Sequence, residues 1–265
     1  MPDGPLKARL RRLRPRAVRP RRILWGPLRG FRIVTSWHDY PGAITGRTER
    51  PLLRWFERNV QVGETWLDVG AHYGYTAIAL SRQVGPRGRV FAFEPMLATA
   101  GCLARARSLN LLPQLTVIPC GLGAPHRLDL KWLPAVRGMI DSTTPADSGM
   151  PEPFLVARLD FLWPQICDRN ARVDGIKIDV QGMEIETITG MAVILREFAP
   201  KLVIELHKGV DRIHLLDLLE SLGYSRASVP VDPLPGEIQP QYLDDRSYWF
   251  SRPVVVGVRP SVSAK

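Results

Sequence analysis

Between residues 65 and 223, short apolar runs alternate with segments of helical period, and this alternation constrains the fold most. TWLDVG (65–70), RVFAFEP (89–95), QLTVIPCG (114–121), GIKIDV (175–180) and KLVIELH (201–207) read as strands. YTAIALSRQV (75–84), MLATAGCLARARSLNL (96–111), GMEIETITGMAVILREF (182–198) and RIHLLDLLESLG (212–223) read as helices. A helix between two strands carries the chain back across the sheet, so successive strands run parallel and both faces become covered. The expected architecture is a doubly wound, mainly parallel, Rossmann-like α/β sheet. Residues 122–160, rich in Pro, Gly, Ser and Thr, break the rhythm and are expected to insert small strands between the third and fourth core strands. Upstream, ILWGPLRGFRIVTSW (23–37) reads as short strands around glycine turns, and ERPLLRWFERNV (49–60) as an amphipathic helix. Together, residues 23–64 are expected to pack on a core domain spanning 65–258, closed by strands in YSRASV and YWFSRPVVVGV.

The net charge of +10 raises the question of a nucleic-acid partner until it is located. The first 32 residues hold eleven of the 36 Lys/Arg and one of the 26 acids, so residues 33–265 are neutral. KARLRRLRPRAVRPRR (7–22) has no acid, and Pro15 and Pro20 prevent one continuous helix. Residues 1–22 therefore read as a solvated, disordered tail. Weak contact with an anionic membrane surface, or with RNA, stays open for it. No run reaches the roughly 18 apolar residues needed to span a bilayer. Cys102, Cys120 and Cys167 are odd in number and lack a CxxC pair, which fits a reducing, cytoplasmic setting.

WLDVGAHYGY (66–75) joins the first core strand to its helix through glycines. A dinucleotide fingerprint needs glycines at positions 70, 72 and 75, but His72 and Tyr75 stand at two of them. What remains is Asp68, Gly70 and Gly74. The glycines allow a ligand close to the backbone. An acid at the strand end repels a pyrophosphate but suits a cationic amino group. Glu94 ends the next strand, where a carboxylate can accept from both hydroxyls of a ribose. An adenosine that carries an amino acid and no phosphate satisfies both acids, which points to S-adenosylmethionine. His72, in the turn, could touch that ligand's carboxylate or the acceptor, or pack on a neighbour. Pro95 and Gly121, at the ends of the second and third strands, are placed at the cofactor as well.

GPLRGF, WLDVGAHYGYTAIAL, VFAFEP, VARLDFL, GIKIDVQGMEIETITGM and KLVIELH, in this order, resemble the FkbM family of S-adenosylmethionine-dependent methyltransferases, from about Gly26 to Gly223. The resemblance implies the class I methyltransferase fold and O-methylation of a sugar, glycolipid, polyketide or related metabolite. It maps Asp68, Gly70 and Gly74 onto the family's first cofactor motif and Glu94 onto its ribose-binding acid. Asp179 matches the Asp of the family's K-I-D-V-E-G, whose Glu is replaced here by Gln181. Glu184 matches a later acid of that motif, and Glu205 the acid of the I-E-L strand. Glu49 stands for an acid that follows a Gly-x-Tyr upstream.

Methyl transfer needs an acceptor oxygen about 3 Å from the methyl carbon and a base for its proton. Asp179, Glu205 and His207 end strands beside the cofactor and are the candidate bases. Asp179 could instead cap a turn, and Glu205 could sit in a structural ion pair. Asp179 and Glu205 could also bring oxygens to a divalent metal, but Gln181 removes a ligand and no metal is assigned. Trp132 and Trp163 could line an acceptor pocket or pack in the core. A small-molecule or glycan acceptor is favoured. Two alternatives stay open: an RNA methyltransferase anchored by the basic tail, and an inactive cofactor-binding homologue.

Overall fold

The computed structural model describes residues 14–136, 139–140, 151–167 and 171–252. The chain opens with β1 (Arg19–Arg22), β2 (Arg32–Thr35), α1 (Pro41–Thr45) and α2 (Arg50–Asn59). Then come β3 (Thr65–Val69), α3 (Tyr75–Val84), β4 (Arg89–Phe93), α4 (Leu97–Leu109) and β5 (Leu115–Ile118). The inserted elements are β6 (Gly121–Leu122), β7 (Asp129–Val136), β8 (Met139–Ile140) and β9 (Pro151–Ala157), followed by α5 (Leu159–Ile166). β10 (Gly175–Ile178), α6 (Glu184–Thr189), α7 (Ala192–Phe198), β11 (Lys201–Leu206), α8 (Arg212–Ser221), β12 (Val229–Pro230) and β13 (Arg246–Phe250) complete the chain.

The central sheet has the order β12-β13-β11-β10-β3-β4-β5. β11, β10, β3, β4 and β5 are parallel, and β13 closes the edge antiparallel to β11. This is the expected doubly wound architecture. Side-chain alternation splits the core between the two faces. Trp66, Val90, Ala92 and Val203 pack with α2, α3 and α4 on one face, and Leu67, Phe91, Ile176 and Ile204 pack with α6, α7 and α8 on the other. The insertion falls where expected, as a small sheet of order β6-β9-β7-β8. Among the described residues no helix is long and apolar enough to cross a membrane.

Four expectations are corrected. The basic segment is not wholly a tail: Arg19–Arg22 pair antiparallel with Arg32–Thr35, and Ile23 is fully buried, while residues 1–13 lie outside the described residues. The single helix expected over 182–198 is two. They part at Gly190, where a Cβ would lie 1.7 Å from the Gly123 carbonyl oxygen, so the chain bends to let two backbones touch. Within VARLDFL, Leu159 onward is helical, and the Asp160 carboxylate accepts from the Val193 and Ile194 amides at the start of α7. Of the two expected closing strands, YSRASV is irregular until β12 begins at Val229, and the second runs only over Arg246–Phe250, its continuation beyond 252 lying outside the described residues.

Candidate functional site

A cleft of about 270 Å³ opens at the carboxyl ends of β3, β4, β10 and β11. That is near the lower end of small-molecule sites, about 300 Å³. It is where open α/β sheets bind ligands. One half is apolar, lined by Phe93, Pro95, Met96, Cys120, Gly121 and Leu122 and covered by Phe154 and Val156 of the inserted β9. The other half is polar, with Tyr40, Glu49, Lys177, Asp179, Gln181 and Glu205.

Strand register builds the polar half. Asp68, Lys177 and Val203 are partners across β3, β10 and β11, and Ala92 is Asp68's partner on β4. Two residues further along each strand, on the same face, come Gly70, Asp179, Glu205 and Glu94. Four parallel strands thus deliver one glycine and three carboxyls to a single row. Gly70 has a φ of +78°, and a Cβ there would lie 1.8 Å from the Asp179 carbonyl oxygen, so β3 and β10 approach this closely only with glycine. Three non-glycine residues on the cleft wall, Glu49, His72 and Gln181, hold left-handed φ values of 52°, 50° and 55°. Each such conformation costs roughly 1–2 kcal/mol, and such strain tends to collect at functional sites.

Glu94 lies at the floor of the cleft, 4% exposed. Its Oε2 accepts from the His72 amide at 2.8 Å and its Oε1 from the Met96 amide at 3.0 Å. Burial raises its pKa to about 7, although both amides favour the charged form. Each oxygen keeps a further lone pair for a ligand hydroxyl. His72 packs its ring 4.4 Å from Tyr73 and 5.2 Å from Tyr40.

Lys177 was not anticipated. It is buried, and its ammonium lies 3.2 Å from Asp68 Oδ1, 3.3 Å from Asp179 Oδ2 and 3.3 Å from the Gly70 carbonyl oxygen. Burial opposes the charge, but Asp68, Asp179, Glu205 and Glu49 together raise its pKa. The available signal was a lysine between Ile176 and Ile178 in a central strand, since a buried charge requires a partner. Asp68, in the equally apolar WLDV, is that partner.

Around this ammonium the acids diverge. Asp179 is only partly buried, and Lys177 and then His207 outweigh its desolvation and hold its pKa below the usual carboxylate range. Glu205 is lifted to about 7 by burial and by the Asp179 and Glu49 carboxylates. Glu49 is raised as well, first by burial. His207 lies behind this pair. Its Nδ1 is 2.7 Å from Glu184 Oε1, and its Nε2 is 2.8 Å from the Gln181 amide nitrogen, 3.4 Å from Asp179 Oδ1 and 3.6 Å from Glu205 Oε1.

The structure thus gathers Gly70, His72, Glu94, Pro95, Gly121, Asp179 and Glu205 at one cleft, with His207 one layer behind. Asp68 and Gly74 stand elsewhere. Asp68 is fully buried, bonded to Thr76 Oγ1 at 2.7 Å and paired with Lys177, so it cannot meet a ligand amino group directly. Gly74 serves packing, because a Cβ there would lie 2.0 Å from Leu103 Cδ1 of α4. Glu49, the upstream acid, reaches the cleft. Trp163 is a core residue, buried against Phe91 with its Nε1 donating to the Ala171 carbonyl. Asp179, Glu205 and His207 bring one donor atom each within 4.8 Å of one another. The Lys177 ammonium already supplies positive charge to the carboxylates here, and the cluster reads as an ion-pair network.

The residues suit S-adenosylmethionine: an apolar slot for a base, Glu94 for ribose hydroxyls, the open Gly70 backbone, and Glu49 for an amino group. A methyltransferase FkbM from Methylobacillus flagellatus KT is 22% identical, with a TM-score of 0.48 over 71% of this chain and 43% of its own. The chain spans less than half the length of that protein. Aeropyrum pernix fibrillarin, solved with natively bound S-adenosyl-L-methionine, is 14% identical, with a TM-score of 0.47 over 88% of this chain and 82% of its own. A putative rRNA-methylase from Clostridium thermocellum is 14% identical, with a TM-score of 0.46 over 76% of this chain and 93% of its own. No curated protein matches the sequence significantly. Residues 68–226, more than half of the chain and all but the upstream wall of the cleft, match the family model of the methyltransferase FkbM domain, and the chain belongs to the FkbM family of S-adenosylmethionine-dependent methyltransferases.

Proposed function

We propose that the chain methylates a hydroxyl oxygen of a small polar metabolite such as a sugar, a glycolipid headgroup or a polyketide. One observation supports this above others: Asp179 and Glu205 face the polar half of the cleft side by side, with opposed proton affinities. A hydroxyl needs its proton removed as it attacks, whereas a neutral amine does not. Bound S-adenosylmethionine supplies an electrophilic methyl group on a sulfonium. Glu205, titrating at about 7, is placed to take the proton. Asp179, held charged by Lys177, is placed to orient the hydroxyl. Phe154 and Val156 would exclude water from above.

The lining also disfavours RNA. Asp39, Glu49, Glu94, Asp179 and Glu205 face the cleft against one lysine, a surface that repels phosphates. The test is methyl transfer from labelled cofactor to fractionated sugars, lipids and RNA, repeated with E205Q. Turnover should fall about 10²–10⁴-fold in E205Q with cofactor affinity nearly unchanged. Label transferred to RNA alone, or undiminished turnover in E205Q, would refute the reading.

A further inference from the structure

Glu184 is a carboxyl that meets neither the cleft nor solvent, with 0% exposure. It begins α6, and its Oε1 accepts from His207 Nδ1 at 2.7 Å and from the Gly182 amide at 3.2 Å. A carboxylate on one ring nitrogen fixes the tautomer and the direction of the other. That other nitrogen, Nε2, faces the Gln181 amide, Asp179 Oδ1 and Glu205 Oε1. His207 is itself buried, so it does not touch an acceptor directly.

We propose that Glu184 is a positioning residue: it holds the His207 ring with the proton on Nδ1 and turns Nε2 toward Glu205 and Asp179, so that His207 takes up the proton that Glu205 removes from the acceptor. This rests on the hydroxyl-methylation reading above. The acceptor O–H proton passes to the Glu205 carboxylate and then to His207 Nε2. The oxygen's electron pair forms the new C–O bond, and the breaking C–S pair stays on sulfur as a thioether. His207 afterwards releases one proton to water. Gln181, exposed on its turn, must swing aside from Nε2 for the middle step.

Three acids and one lysine surround the His207 ring among the described residues. Glu184 lies behind it, Asp179 and Glu205 lie in front, and Lys177 lies beyond Asp179. Arg212 Nη1 donates to its backbone carbonyl at 2.9 Å. Burial would lower the ring's pKa, but the Glu184 hydrogen bond and the Asp179 charge outweigh it and raise the value.

Imidazole ¹⁵N NMR on the full chain tests the assignment, with H207Q identifying the resonances. The wild-type neutral ring should carry its proton on Nδ1 and titrate above about 6.5. E184Q should lower that midpoint by about one unit or more. It should move the acid limb of the turnover profile to lower pH and reduce turnover about tenfold or more. E184D should restore part of both. An Nε2–H tautomer in the wild type would overturn the proposal without any variant, which covers an E184Q chain that fails to fold. A wild-type pH profile in folded E184Q would overturn it too. Absence of methyl transfer to any acceptor by the wild type would refute the hydroxyl-methylation reading and this proposal with it. An active chain with the wrong tautomer would refute this proposal alone.

Discussion

Replacing Lys177 by methionine tests whether the ammonium holds the strand ends together. Its three partners are not equal. Asp68 is fully buried and keeps only Thr76 once the lysine is gone, whereas the Asp179 side chain is 26% exposed and can regain water. The cost should therefore come mainly from Asp68. Removing one partner of a buried pair costs about 3–5 kcal/mol, because the remaining charge stays desolvated. For a domain of this size each kcal/mol moves the melting temperature by about 2–4 °C. K177M should thus melt roughly 6–20 °C lower than the wild type in calorimetry at pH 7. The informative comparison is the double variant D68N/K177M. It removes both charges and keeps a hydrogen-bonding group for Thr76, so it should be more stable than K177M alone, by about 2 kcal/mol. If K177M melts within 2 °C of the wild type, or the double variant is the worse of the two, the ion pair is not what braces β3 against β10.

Glu94→Ala should weaken S-adenosylhomocysteine binding ten- to a hundredfold, roughly 1–3 kcal/mol, by calorimetric titration; preferential binding of NAD by the wild type would refute the cofactor assignment. The Glu94 pKa of about 7 lies above its ordinary 4.5, so the folded chain holds that proton more tightly than the unfolded one. The ligand-free chain should therefore lose stability as pH rises from 4.5 toward 7, and E94Q should flatten that slope in urea unfolding measured across the same range. A chain starting at Arg14 should bind cofactor as the whole chain does. One starting at Gly26 loses β1 and buried Ile23, about 1.5–3 kcal/mol for the isoleucine alone, and should melt detectably lower.

The sequence alone determined the order of core strands and helices along the chain, the place of the insertion and the glycine turn after the first core strand. The reason is local: period and turn chemistry act over five to fifteen residues, and TWLDVG, RVFAFEP and KLVIELH carry both within themselves. Glu94, Asp179 and Glu205 were legible as strand-end acids because an acid after an apolar run marks where a strand leaves the core. The break at Gly190 was not legible, since the carbonyl that requires it belongs to Gly123, in the loop after β6. Nor was the difference between two acids of similar sequence setting, Asp68 facing a lysine under the sheet and Glu94 facing the cleft. Only the parallel register sets Lys177 beside Asp68 and carries Asp179 and Glu205 to one row. Only the tertiary fold brings Glu184, at the start of α6, to His207, just past the end of β11. The proton affinities of His207 and Lys177 are raised by acids 23 and 109 residues away in sequence once burial removes the water between them, and burial is a property of the assembled fold.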